Sequence, residues 1–151
     1  MANSQALCTS FKGELLKGIH ALGTTVVRAG TGADTIKAAL YLASASRGAG
    51  DTVFNSTGEV SGAGYTTGGV AVTNATAPTT SGTTGYWTPS ASIAYTSVTL
   101  STSFDAVLIY NSTQGDKAIS VHTFTAQTVT AGTLTITMPT NDASNALIRL
   151  A

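Results

Sequence analysis

The sequence predicts an all-β protein: an antiparallel β-sandwich or jelly-roll-like domain with one short N-terminal α-helix. Threonine, whose β-branched side chain favours strands, occurs 28 times in 151 residues. The 16 glycines divide the chain into short segments, and strands do not alternate with crossover helices as a parallel sheet requires. The length fits one domain. We expect residues 1–23 to form the helix and its flank, and residues 24–151 to form the sandwich.

A helix is predicted at the N-terminus, over residues 5–18, because apolar residues recur there at spacings of three and four. Gly13 weakens this helix, and Gly18 or Gly23 can end it, so docking of its apolar face must supply most of its stability. That face either helps to anchor the protein to a partner or caps one open end of the sandwich. Its members are Leu7, Phe11, Leu15, Ile19 and Leu22.

The first strand is predicted over residues 34–42, where apolar side chains occupy every second position from Ile36. A weaker strand pattern over residues 65–74 is interrupted by Gly68 and Gly69, which indicates a bulge or a bend. Residues 75–85 are the most polar stretch of the chain, so we expect an exposed loop there.

The second half of the chain has the strongest strand pattern. Residues 93–100 form one predicted strand, and residues 104–110 form another whose apolar side chains occupy both faces. Such a strand is typical of the centre of a sheet that is covered on both sides. Further strands are predicted at residues 117–124, at 127–130 and 133–138 around a turn at Ala131-Gly132, and at 146–150.

Charge is scarce in this chain. Charged residues make up 9% of the sequence, against about 25% in an ordinary globular protein. The formal net charge is zero, and no basic patch could neutralise phosphates, which argues against a nucleic-acid partner. Copies of a protein with no net charge do not repel each other, which makes such a protein poorly suited to remain a free monomer at high concentration. The composition therefore indicates a protein that stays bound in an assembly. We expect that assembly to include other copies of the same chain.

The sequence shows no targeting segment and contains one cysteine. The apolar runs are too short to span a membrane, and the N-terminus from Met1 to Ser4 has neither the basic nor the apolar region of a signal peptide. We therefore expect synthesis in the cytoplasm and no membrane partner. Cys8 is the single cysteine, which excludes an intrachain disulfide and a cysteine-based metal site.

No motif predicts catalysis. His122 could act with a serine and with Asp105 or Asp116 in hydrolysis, but the chain contains no Gly-x-Ser-x-Gly sequence. His20 is placed near the predicted helix end, where its partial positive character suits the helix dipole. The seven acidic residues are scattered, one to a segment, which does not favour a metal site. We predict a structural role for both histidines, and no catalytic, cofactor-binding or metal-binding residues.

Aromatic residues offer the clearest candidates for contact with a partner. Tyr86 and Trp87 follow the polar stretch and, with Tyr41, Tyr65 and Tyr95, could form a platform for a sugar or an anchor at a protein interface. Core packing is the competing interpretation, which we favour for the group as a whole. Trp87 is the best single candidate for a contact, because aromatic anchors dominate the energetics of interfaces.

Five segments carry a family resemblance, namely ALCTSFKGELLKGIH (residues 6–20), DTIKAALY (34–41), TGEV (57–60), FDAVLIYN (104–111) and ISVHTF (119–124). They resemble small virion structural proteins of tailed bacteriophages, and the likeness covers nearly the whole chain. Within this group we prefer the likeness to head decoration, or cement, proteins. The family has no active-site motif, so the resemblance transfers no catalytic residue.

The resemblance implies a protein of the capsid exterior that binds across subunits of the major capsid protein and stabilises the shell. Neutral Thr and Ser surfaces suit this role, because they can be buried with little cost of charge desolvation. The alternative is a tail or fibre component that binds a host surface glycan through Tyr86, Trp87 and the neighbouring loop. The candidate interface residues are therefore Leu7, Phe11 and Leu15, which the decoration hypothesis expects to help anchor the protein, together with Tyr86 and Trp87.

Overall fold

The computed structural model describes residues 2–16, 18–23 and 32–151. Within this part of the chain, strands dominate and one short helix lies near the N-terminus. The start of the predicted sandwich, residues 24–31, lies outside the described residues. The elements are β1 (Ala6–Leu7), α1 (Thr9–Leu16), β2 (Ile36–Leu42), β3 (Val70–Ala71), β4 (Thr79–Ser81), β5 (Thr84–Trp87), β6 (Ile93–Asn111), β7 (Lys117–Ile136) and β8 (Ile148–Leu150).

The strands form two antiparallel sheets. The larger sheet has five strands in the order β1-β7-β6-β2-β3, and the smaller has three in the order β4-β5-β8. Every pairing in both sheets is antiparallel. The predicted all-β, sandwich-like class with one short N-terminal helix is therefore confirmed.

The helix is shorter than predicted. It begins at Thr9, because Ala6 and Leu7 pair instead with Val121 and Ser120 of β7. Strand pairing satisfies the backbone groups of these residues directly, and this tertiary contact overrides the helical spacing of the apolar side chains. Gly18 follows the helix with a φ of 66°, which is the left-handed conformation expected of a glycine at a helix end.

Strand β2 agrees closely with its prediction, since it runs from Ile36 to Leu42 within the expected 34–42. It pairs along its whole length with β6, from Ile36 opposite Asn111 to Leu42 opposite Phe104. The expected central strand is also confirmed, because residues 106–110 of β6 are buried between their neighbours. These two strands form the middle of the larger sheet.

Three predicted breaks do not occur. Strand β6 joins the predicted strands 93–100 and 104–110. Strand β7 joins the predicted strands 117–124 and 127–130 and continues through Ala131 and Gly132, where we expected a turn. The register of the pairing shifts at several points along the two strands, and Ala131 adopts a positive φ of 45°. Irregularities of this kind bend a ladder without ending it, so the prediction of separate strands was wrong here.

The predicted loop at residues 75–85 contains a β-hairpin. Thr79 pairs with Tyr86 and Ser81 pairs with Thr84, which leaves Gly82 and Thr83 as a two-residue turn. Gly82 has a φ of 58°, the positive value that tight hairpin turns require. The expected exposure of this segment is confirmed for β4, whose three residues are all exposed, but the expectation that it lacks strands was wrong.

Candidate interaction surface

An apolar groove lies between the end of α1, the β4–β5 hairpin and β8. Its volume is about 280 Å³. Three of the five predicted contact residues meet here, namely Leu15, Tyr86 and Trp87, although Leu15 is more than 70 positions away from the other two in sequence. The other walls are His20, Leu22, Pro78, Thr79, Thr80, Gly85, Ile148 and Leu150.

The pairing of β5 with β8 builds one side of the groove. Trp87 lies opposite Ile148, and Gly85 lies opposite Leu150. Alternate residues of a strand share a face, so Ile148 and Leu150 project together beside the aromatic pair. Leu150 is 44% exposed and is one of two large apolar side chains with substantial exposure among the described residues. It offers apolar surface that a partner can cover.

None of the residues that line the groove is Lys, Arg, Asp or Glu. The His20 side chain is fully buried, and its Nε2–H donates a hydrogen bond to Glu14 Oε2 at 2.8 Å. Its other ring nitrogen lies 3.0 Å from the side-chain amide of Asn111. A partner that enters the groove therefore displaces water from apolar and hydroxyl groups and has little charge to desolvate.

Trp87 forms a wall of the groove and does not project from it. Its side chain is 1% exposed, and Nε1–H donates to the backbone oxygen of Thr76 at 2.8 Å. Tyr41 and Tyr95 are buried as well. These rings offer almost no face to a sugar, and Trp87 exposes almost no surface that a partner could contact. The rings of Trp87 are buried in the core, and the backbone oxygen of Thr76 accepts the hydrogen bond of its N–H group.

The N-terminal apolar face is divided between several environments. Phe11 is fully buried and meets the ring of His20 edge-on, with 4.8 Å between the ring centroids. It belongs to the core cluster, although we predicted Phe11 as an interface contact. Leu7 is half-buried and lines a different cavity, beside Ser120 and Arg149. Leu15 and Leu22 of this face line the groove.

A polar network anchors the helix beneath the groove. Lys117 Nζ donates to Glu14 Oε1 at 2.8 Å, while His20 contacts the other carboxylate oxygen of Glu14. Burial raises the pKa of Glu14, but the hydrogen bonds from Lys117 and His20 outweigh burial and hold that pKa below its usual value. Glu14 is therefore ionised at neutral pH and ties α1 to the start of β7.

The network continues to Asp34. Its carboxylate accepts hydrogen bonds from the Asn111 side chain at 2.8 Å, the Gln114 side chain at 3.0 Å and the backbone N–H of Ala21 at 2.7 Å. These contacts fix the segment that carries His20 and Leu22. Sequence reasoning missed the network because the contacts of Glu14, His20 and Asp34 with residues 111–117 span 77 to 103 positions of the chain, and no local pattern links them.

His122 is the histidine that could act in hydrolysis with a serine and an aspartate. Its Nε2 lies 2.9 Å from the hydroxyl of Ser120, so the structure does bring this histidine and a serine together. Ser120 is fully buried, and Asp105 and Asp116 make no hydrogen bond to His122 within the described chain. Asp105 instead accepts from the side chain of Asn3. The pair thus lacks the third, orienting carboxylate of a hydrolytic triad.

Acid is expected to destabilise the fold through His122. Burial lowers the pKa of this histidine from 6.5 to about 4. Between these values the unfolded chain binds more protons than the folded chain, so stability is present above pH 6.5 and is lost as the pH falls towards 4. We expect the free energy of unfolding to fall by about 2 kcal/mol between pH 7.5 and pH 5 from this residue alone.

Urea denaturation at the two pH values measures this effect, and His122→Gln is the matched control. Other titrating groups act equally in both proteins, so their contribution cancels in the comparison. The variant is expected to lose about 2 kcal/mol less than the wild type over the same interval. Equal losses in the two proteins would contradict a buried, neutral His122.

No group of three or more His, Cys, Asp and Glu side chains is placed to hold a metal ion in the part of the chain that the structure describes. No helix within residues 2–16, 18–23 and 32–151 has the length and apolar character to cross a membrane.

Comparison with known proteins gave no match to a family model, to a curated protein or to a solved structure.

Proposed function

We propose that the protein is a non-enzymatic structural protein of a phage virion, which decorates and stabilises the capsid by binding across major capsid protein subunits. The observation that carries this proposal is the groove, where an exposed Leu150 lies beside Leu15 and Tyr86 on a neutral surface. Apolar patches on a soluble surface mark sites of interaction. The resemblance of the chain to small virion proteins supplies the kind of partner.

The distribution of charge supports a long-lived contact. No Lys, Arg, Asp or Glu occurs from Val60 to Phe104 or from Ala118 to Asn141. These stretches include β4 and β5 beside the groove. Attachment through such a surface depends little on salt, because few charges are screened. A decoration protein must stay bound while the ionic conditions around a particle change, and this surface has that property.

The groove alone is too small for a stable attachment, since a specific interface buries about 1,000 Å² or more. The exposed residues of β4 and the exposed part of β8 lie on either side of it and extend the neutral surface. We place the capsid protein across the groove and these two strands. A homo-oligomer on the shell and synthesis in the host cytoplasm belong to the same proposal.

Replacing Leu150 by serine is expected to weaken capsid binding at least tenfold. Burial of a leucine side chain contributes about 1.5–3 kcal/mol, and each 1.4 kcal/mol corresponds to about a factor of ten in affinity. The measurement is cosedimentation of the purified chain with capsids that lack it. Val53→Ser is the matched control, because Val53 is 45% exposed but does not line the groove.

Thermal resistance of the particles tests the stabilising role. Capsids stripped of the protein are expected to break at a lower temperature, and addition of the wild type or Val53→Ser should restore them. Leu150→Ser should not restore them at the same concentration. Equal thermal resistance with and without the protein would refute the proposal, and equal binding by both variants would refute the assignment of the groove.

A further inference from the structure

A second cavity, of about 420 Å³, lies against the β6–β7 hairpin and shares no lining residue with the groove. None of its lining residues is Lys, Arg, Asp or Glu. The cavity is partly open to solvent, and an apolar molecule that enters it is removed from water. Its apolar walls include Ile93, Val107, Phe124, Leu134, Met138 and Leu147.

Both ends of the hairpin contribute to the cavity. Ile93 pairs with Ile136 near one end, and Val107 pairs with His122 nearer the other. Register shifts lie between these pairs, and bulges of this kind bend a strand and increase its twist. The hairpin therefore curves so that distant parts of β7 face one space. Leu147, just before β8, adds a further wall.

His122 is one of five polar residues in the lining, with Thr123, Gln127, Thr135 and Thr137. Its Nε2 is paired with Ser120 Oγ at 2.9 Å, and within the described chain Nδ1 has no hydrogen-bond partner. Burial lowers its pKa to about 4, so the ring is neutral at pH 7. Nδ1 of a neutral imidazole is a donor in one tautomer and an acceptor in the other.

We infer that this cavity binds a small, uncharged, mainly apolar molecule whose single hydrogen-bonding group pairs with Nδ1 of His122. The volume of the cavity limits the size of the ligand. A cavity of about 150 Å³ already holds benzene, and this one is larger. The lining favours an uncharged ligand, because an ion would lose its hydration there without gaining a partner of opposite charge. Ligand pockets combine apolar walls with a few placed polar groups in this way. This site is independent of the groove.

Two isosteric probes test the assignment with the full-length protein. The first, 4-methylphenol, carries a hydroxyl that can donate or accept, and the second, 1,4-dimethylbenzene, has a methyl group in its place. Binding is followed by NMR titration at pH 7, including the ring resonances of His122. Both probes are expected to bind saturably, and 4-methylphenol should shift the Nδ1 resonance of His122 strongly.

His122→Phe separates the hydrogen bond from the apolar contact. The variant should bind 4-methylphenol about tenfold more weakly, since a hydrogen bond contributes about 1 kcal/mol or somewhat more, while its affinity for 1,4-dimethylbenzene stays within about twofold. Leu147→Trp, which fills the space from a half-buried position, should weaken both probes. If either variant fails to fold, the wild-type titration still decides the question.

Three results would overturn the inference: no saturable binding of either probe, an unchanged affinity of His122→Phe for 4-methylphenol, or spectral shifts that map to Leu15, Trp87 and Ile148 instead of the cavity. The last result would place the probe in the groove. Failure here leaves the proposed function untouched, because capsid binding is measured with Leu150→Ser, which does not line this cavity.

Discussion

Replacing Gly69 by alanine is expected to prevent folding. Gly69 has a φ of 67°, and a Cβ atom at this position would overlap the carbonyl oxygen of Ala38 in β2 and come within 2.8 Å of the Cα of Ala39. These are backbone atoms in the middle of the larger sheet, so they cannot move aside as a side chain can. We expect a loss greater than about 4 kcal/mol, in the exceptional range for one substitution.

Gly82→Ala is the matched control for this prediction. Gly82 also has a positive φ, of 58°, but no atom lies within 4 Å of the position that its Cβ would occupy. Only the left-handed conformation then opposes alanine, which costs about 1–2 kcal/mol. Circular dichroism and urea denaturation compare the variants. A folded Gly69→Ala with the stability of Gly82→Ala would contradict the close approach of this segment to β2.

Trp87→Ala is expected to destabilise the protein by about 3–5 kcal/mol, the usual cost of removing a large buried aromatic side chain. Trp87 is buried in the core cluster, and its loss also leaves the carbonyl oxygen of Thr76 without the indole donor. The free energy of unfolding measures the effect. An interface anchor would behave differently, because its loss would weaken binding and leave the stability of the free protein nearly unchanged.

Tyr86→Ala provides the comparison beside it in the chain. Tyr86 is half-buried and lines the groove, so its replacement should affect capsid binding more and folding less than Trp87→Ala does. If Trp87→Ala kept full stability and lost capsid binding, the result would support Trp87 as a contact residue and contradict its burial in the core.

The sequence predicted those parts of the fold that depend on local pattern. Strand β2 was found because its apolar residues alternate and then give way to a Ser- and Gly-rich segment. The bend at Gly68 and Gly69 was also found, and the structure gives both residues a positive φ directly before β3. In each case the residue types themselves restrict the backbone, whatever the rest of the chain does.

Errors occurred where distant contacts outweigh the local signal. Ala6 and Leu7 fit a helical pattern but pair with β7, and the glycine at position 132 lies within a continuous strand because β6 supports it. The hairpin around Gly82 was missed since its exposed strands carry no apolar alternation. Pairing partners far along the chain decide these cases, and a window of neighbouring residues contains no information about them.

The candidate surface was predicted in part. Leu15 and Tyr86 were named from the sequence and do line the groove, whereas Ile148 and Leu150 were noticed only as members of a final strand. Their contribution depends on the pairing of β8 with β5. The alternation of Ile148 and Leu150 was a usable signal, because it places two apolar side chains on one face of a short strand at the edge of a sheet.

The proposed function requires that the protein lies on the capsid and contacts the capsid protein through the groove. An image reconstruction of the intact particle measures both directly. The account predicts density for this domain on the outer surface of the capsid, spanning subunits of the major capsid protein, with Leu150 and the β4–β5 hairpin at the contact. Density for the domain in the tail, or on the capsid with this groove open to solvent, would contradict it.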